Sequence, residues 1–352
     1  MTIRLDPIDM AACRDLLKGG SRTFNAASKV LPRRVADPAI ALYAFCRLAD
    51  DAVDLGKDRA AAVARLRERL DRAYRHQPMD LAADRLFADV VTKFCIPREL
   101  PEALLEGLAW DAEVRRYETL QDLTAYAARV AGAVGAMMTL VMGQRAPEIV
   151  ARACDLGVAM QFTNIARDVG EDARAGRLYL PLSWLREAGI DPDTWLADPC
   201  FTPEVAAIVQ RLLDAADVLY FRATRGIANL PIGCRPGIYA ARALYAEIGR
   251  ELERGGLDSV SRRAVVSTNR KLAVLARTLL LQQTEWAPAR RLGVTSTEIE
   301  ETRFLVDAVA ATPLRENARP QWRPIENRVV WVIDLFERLE RRDQLQRTAS
   351  YR

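Results

Sequence analysis

Histidine is nearly missing from this chain: His76 is the only one in 352 residues. A two-His-one-carboxylate iron site, a His-rich zinc site and the H-E-x-x-H zincin pattern each need at least two, so none can be built. A Ser-His-Asp or Cys-His hydrolase would have to use His76, which lies in the polar run Arg75-His76-Gln77-Pro78 at an expected helix end. The six cysteines are scattered without a C-x-x-C pair, which points to small core residues in a reducing compartment. Walker A and Rossmann glycine motifs are absent. An excess of one sign of charge is also lacking, with a net of only +4, so the chain has no nucleic-acid footprint. No apolar h-region opens the sequence, because Arg4, Asp6, Asp9, Arg14, Asp15 and Lys18 interrupt it. The longest uncharged apolar stretch, Val130 to Gly143, is too short to span a bilayer and suits a buried helix. The expectation is a cytoplasmic protein, peripheral on a membrane at most.

Half of the residues are hydrophobic and 28% are charged, enough for a large buried core. Apolar residues recur at three- and four-residue spacing over 58–76, 100–117, 146–170, 204–229, 236–254 and 298–311, and no run alternates for long. Helix starts are signposted at Asp37-Pro38, Pro147-Glu148, Thr202-Pro203-Glu204 and Ser296 near Glu298 and Glu300. These signals predict an all-α protein, one compact bundle of many helices without internal repeats. Pro313, Pro320 and Pro324 punctuate a polar stretch before a final helix near 326–346. The one visible boundary is therefore late, at these prolines.

Two polar stripes interrupt this apolar background. From Pro38 to Leu55 only Arg47, Asp50, Asp51 and Asp54 are charged, and at about 100° per residue they fall within roughly a 100° arc. A solvated face would explain the same spacing. The stripe is narrow, however, and uses Asp, a poorer helix former than Glu or Lys, on an otherwise apolar helix, which favours a cation site. Over 155–172, Gln161, Asn164, Arg167, Asp168, Glu171 and Asp172 project within roughly a 140° arc. Two carboxylate stripes in one bundle suggest facing walls of a cavity that bind hard cations through oxygen. Mg²⁺ is the natural candidate, with Mn²⁺ as its substitute, and because Mg²⁺ binds through few carboxylates plus phosphates, the substrate should bring phosphate.

Single residues fit that expectation more weakly. Ser21-Arg22-Thr23-Phe24 offers hydroxyls and a guanidinium near a helix start, or an ordinary cap. Arg177 and Tyr179, in Gly176-Arg177-Leu178-Tyr179-Leu180-Pro181, follow the second stripe closely, or form a plain turn. Gly132, Ala133, Gly135 and Ala136 permit close helix packing or leave room for a long apolar ligand.

The run from Tyr43 through Arg47, Asp50 and Asp51 to Asp54, the run from Gln161 through Asn164, Arg167, Asp168 and Glu171 to Asp172, and the Gly176–Pro181 element resemble the signatures of squalene and phytoene synthases. The likeness extends from about Cys13 to Gln283, through Arg116-Tyr117, Asp122-Leu123, the Val130–Gly135 run and Tyr239, and looks closest to the bacterial phytoene-forming branch. The resemblance implies an all-α prenyl-synthase fold around a central cavity, with a catalytic domain over 1–287 and a C-terminal extension over 288–352 that matches no motif of the family. It also implies head-to-head condensation of two geranylgeranyl diphosphates, through a cyclopropylcarbinyl diphosphate, into phytoene for carotenoid biosynthesis. Asp50, Asp51, Asp54, Asp168 and Asp172 would hold Mg²⁺, and no NADPH is expected. Ser21, Arg22, Thr23, Phe24, Arg47, Gln161, Asn164, Arg167, Arg177 and Tyr179 would bind substrate. Rings such as Phe24, Tyr43, Phe162 and Tyr239 would face carbocations, with core packing as their other reading. A dehydrosqualene or squalene synthase using farnesyl diphosphate, or an inactive assembly factor of the same fold, are the alternatives. A membrane surface and neighbouring pathway enzymes are the expected partners besides substrate. For 326–346, Trp331 and four arginines around an apolar face suggest membrane contact, against packing onto the core.

Overall fold

The computed structural model describes residues 5–20, 28, 30–54, 58–281 and 298–312, and no strand occurs among them. The helices are α1 (Pro7–Gly20), α2 (Arg33–Asp54), α3 (Arg59–Tyr74), α4 (Ala82–Lys93), α5 (Glu99–Ala112), α6 (Leu120–Val141), α7 (Pro147–Arg174), the short α8 (Leu182–Glu187) and α9 (Pro192–Ala197), α10 (Pro203–Ile227), α11 (Arg235–Arg254), α12 (Thr268–Leu281) and α13 (Glu300–Ala311). The boundaries follow from local chemistry. Asp58 accepts from the Ala61 amide to start α3, Thr119 and Asp122 form a reciprocal capping box at α6, and Thr202 caps α10 ahead of Pro203. One expected start is corrected. Asp37-Pro38 does not open a helix; α2 begins at Arg33, where the Pro32 carbonyl accepts from the Val35 and Ala36 amides, and Pro38 lies inside. A proline in the first two turns forfeits few hydrogen bonds, and Asp37 instead pairs with Arg14 of α1 at 2.7 Å.

α7 is the hub, packing against α6, α10, α11 and α13. α6 is the one described helix long and apolar enough to cross a membrane, yet 67% of its most apolar stretch is buried in the protein. It is interrupted by a π-helical turn, Ala128–Gly132, where it meets α7. There the backbones nearly touch: a Cβ on Gly157 would stand 2.3 Å from the Ala131 carbonyl oxygen, and one on Gly135 2.3 Å from that of Ala153. The small residues of α6 therefore serve both purposes left open by the sequence, since Gly135 is a packing contact and also lines a cavity. Gly157→Ala is expected to cost about 1–3 kcal/mol, because backbone rather than a flexible side chain must yield. A lowered melting temperature relative to the parent chain checks it.

α13 falls in the stretch expected as an extension. It buries Leu305, Val306 and Val309 in the same core, and Arg145 donates to the Thr312 carbonyl at 3.1 Å. The segment 326–346 and the Ser21–Phe24 element lie outside the described residues.

Candidate active site

The apolar side of α2 buries Ala39, Ala41, Leu42, Phe45, Ala49 and Val53, which turns Arg47, Asp50 and Asp51 outward as a group. Arg47 Nη2 lies 2.7 Å from Asp51 Oδ1, and its Nη1 3.5 Å from Asp50 Oδ2. Asp54 is on the last turn of the same helix. Tyr43, one turn before Arg47, is half-buried. Burial pushes its hydroxyl above the usual tyrosine range, Arg47 opposes this, and Tyr245 of α11 with Asp50 and Asp51 adds to it. Tyr43 thus sits within electrostatic reach of both the acidic stripe and α11.

On α7, Arg167 Nε and Arg263 Nε each lie 2.7 Å from Asp168 Oδ1. Burial raises the Asp168 carboxyl, and the hydrogen bonds from Arg167 and Arg263 outweigh it, holding the group below the ordinary aspartate value. Asp172, one turn on, is pushed up to about 7 by burial and by the charge of Asp168, against the pull of Arg177. Two carboxylates in one half-buried site, one short of counter-charge, form an oxygen-rich locus suited to a hard cation. Among the described residues no three His, Cys, Asp or Glu side chains converge as a ready-made cage.

Beside Asp172 an aromatic cluster surrounds Asp111 of α5. Tyr179 donates to Asp111 Oδ1 at 2.6 Å and Tyr126 to Oδ2 at 2.9 Å, while the rings of Tyr117, Tyr126 and Tyr179 lie together with centroids 5.1 to 6.2 Å apart. Tyr179 and Arg177 flank Asp172 in one small pocket.

A cleft between α6, α7, α10 and α11 holds about 1100 Å³ of unfilled space, its open mouth included, on the scale of a ligand site. Its walls are mostly aliphatic, with Gln161 and Asn164 of the second stripe and Tyr245 at one end. One turn beyond Asn164 stands Asp168, so the polar stripe of α7 runs out of the apolar cleft into the acidic locus. α2 and α7 both pack on α6, and Tyr43 brings the α2 stripe toward Tyr245 at the same end.

Among the expected site residues, Arg47, Asp50 and Asp51 thus share one locus, and Gln161, Asn164, Arg167, Asp168, Asp172, Arg177 and Tyr179 another. Phe162 is a core side chain, 1% exposed. Tyr239 packs half-buried against the core and is not among the residues lining the cleft, where α11 presents Tyr245 instead. The sequence reading missed Arg263, Asp111 and Tyr245. Arg263 arrives from a loop that docks on α7, where the Gly170 amide donates to the Ser259 carbonyl at 2.9 Å and a Cβ on Gly170 would lie 2.1 Å from the Val260 oxygen. A glycine inside the second stripe was its available signal, since glycine weakens a helix interior unless another backbone must approach. Asp111, an acid on the apolar helix α5, was the signal for the tyrosine cluster.

Residues 17–270 match the squalene/phytoene synthase family. The chain belongs to that family. It is 56% identical over 275 residues to a phytoene synthase of Rhodobacter capsulatus, covering 77% of this chain and 81% of that relative. A phytoene synthase of Cereibacter sphaeroides is 46% identical over 346 residues, covering 96% of this chain and 95% of the relative. Among solved structures, a dehydrosqualene synthase in complex with ligand superposes with a TM-score of 0.72 at 30% identity, covering 79% of this chain and 97% of that one. The fold is therefore the all-α fold of squalene and dehydrosqualene synthases, and family membership carries with it isoprenoid diphosphates as the substrate class.

Proposed function

We infer that this chain condenses two geranylgeranyl diphosphates head to head into phytoene, a transferase step of carotenoid biosynthesis. The observation that carries the reading is the 56% identity to a phytoene synthase, joined to an apolar cleft from which the polar stripe of α7 leads on to Asp168 and Asp172. The cleft walls would hold the prenyl tails and exclude water from a cationic reaction path. Arg47, Arg167, Arg177 and Arg263 would donate to the diphosphate oxygens. Tyr245 at the end of the cleft, and Tyr43 within reach of it, can present π faces to developing positive charge. Mg²⁺, with Mn²⁺ as a substitute, would be held by Asp50, Asp51 and Asp54 on one side and Asp168 and Asp172 on the other. When bound, it supplies charge neutralisation to the departing diphosphate. Forming phytoene consumes no reductant, so no nicotinamide is expected. The test is product analysis of the purified chain with geranylgeranyl or farnesyl diphosphate, each with and without NADPH. Phytoene from the C20 substrate alone, indifferent to NADPH, is the expected result; a C30 product from farnesyl diphosphate at equal or higher rate would overturn it.

Membrane contact extends the proposal. The substrate tails and a C40 hydrocarbon are lipophilic, and release into water costs about 0.8 kcal/mol per CH₂. The stretch 326–346 joins Val329, Val332, Ile333, Leu335, Phe336 and Leu339 to Trp331 and to Arg328, Arg338, Arg341 and Arg342, the make-up of an interfacial helix. The full chain is expected to float with anionic liposomes at low salt, and a chain ending near Pro313 to float much less. Equal flotation of both would remove this stretch as the anchor.

A further inference from the structure

Toward the end of the cleft remote from the carboxylates, one turn short of its last α7 lining residue Ile149, stands a feature that diphosphate chemistry does not explain. α7 lines the cleft along one face from Asn164 back to Ile149, and in that wall Arg152 is charged where its neighbours Ala153, Leu156 and Gly157 are not. A rise of 1.5 Å per residue places Arg152 ~18 Å along the helix axis from Asn164. Its head is held: Arg152 Nε lies 3.1 Å from Asp155 Oδ2, and Asp155, wholly buried, is gripped again by Arg222 Nε at 2.9 Å. Its stem is held as well. A Cβ on Gly226 of α10 would fall 2.2 Å from Arg152 Cβ, so the side chain passes directly across that glycine. A prenyl tail that reached this point would meet a side chain whose stem is pinned across Gly226 and whose head is ion-paired to a buried carboxylate, and which therefore yields less readily than an aliphatic one.

We propose that Arg152, braced by Asp155 and Gly226, is the stop that sets the longest prenyl tail the cleft accepts. The inference rests on the prenyl-diphosphate reading of the cleft and adds to it a specificity-determining residue. Arg152 stands too far along α7 to meet the diphosphate, so shortening it should change tail selection and leave diphosphate handling intact. Arg222 remains on Asp155 after the change, and the buried carboxylate keeps a partner.

The experiment compares kcat/KM of the full chain for geranylgeranyl diphosphate and for the C25 prenyl diphosphate one isoprene unit longer, in the parent, Arg152→Ala and Arg152→Lys. Arg152→Ala is expected to raise the C25-to-C20 ratio about 10-fold or more, through the longer substrate's KM, while C20 turnover stays within a few-fold. Arg152→Lys, which restores length and charge, should return the ratio toward the parent's. An unchanged ratio in a folded Arg152→Ala chain overturns the proposal. If that variant does not fold, Arg152→Ala with Asp155→Asn carries the same readout with the same two outcomes. Failure of the broader reading looks different: the parent then prefers a substrate other than the C20 diphosphate, and the ratio is read between that substrate and the next longer one.

Discussion

Asp50→Asn and Asp168→Asn are each expected to lower turnover by about 100-fold or more while leaving a folded protein. Each replacement keeps the shape of the side chain and removes its charge. Asp50 is partly exposed with Arg47 as its counter-ion, so its loss leaves no buried charge without a partner. Asp168 is more enclosed, but the amide oxygen of the asparagine can still accept from Arg167, and Arg263 is 45% exposed and also reaches Glu171 at 3.4 Å, so both guanidinium groups keep an acceptor. The matched control is Asp80→Asn. Asp80 stands four residues from Asp84, the same spacing as Asp50 and Asp54, yet it is fully exposed and pairs with Arg85 far from the cleft in sequence. Steady-state kinetics with geranylgeranyl diphosphate, together with melting curves, separate the cases. Two inactive but folded variants beside an active control would assign the charge to function; equal damage from Asp80→Asn would remove the basis for singling out the stripes.

The stripes were legible because a helix makes neighbours of residues three and four apart, so a local string carries a local geometry. The same regularity exposed the all-α class, the Thr202 and Pro147 starts and the polar sequence from Gln161 to Asp172. Legibility ended where partners come from distant sequence. Arg263 reaches Asp168 across 95 residues, and Asp111 collects hydroxyls from Tyr126 and Tyr179, 15 and 68 residues away. Nothing in local periodicity encodes such meetings. Aromatic roles were the least legible, because one ring can fill a core or face a cavity: Phe162 does the first, and the cleft takes Tyr245 rather than Tyr239. Pro38 misled for a related reason, since a proline early in a helix looks in sequence like a proline that starts one.

Metal dependence is the second large effect expected, on the charge balance proposed for the site. A diphosphate brings several negative charges to two groups of carboxylates, and Arg47, Arg167, Arg177 and Arg263 are already engaged with those carboxylates or with their field. Bringing the substrate in without further positive charge would set like charges together in a partly buried site, where screening is weak. We therefore propose that a divalent cation is needed to bind diphosphate productively; oxygen donors with no histidine or thiolate among them would select a hard one. The most direct measurement is turnover of geranylgeranyl diphosphate by the purified full chain after treatment with EDTA, before and after Mg²⁺ is restored in excess. The account predicts loss of phytoene formation on chelation and its recovery with Mg²⁺, or with Mn²⁺, without any nicotinamide; undiminished turnover in metal-free buffer would contradict it.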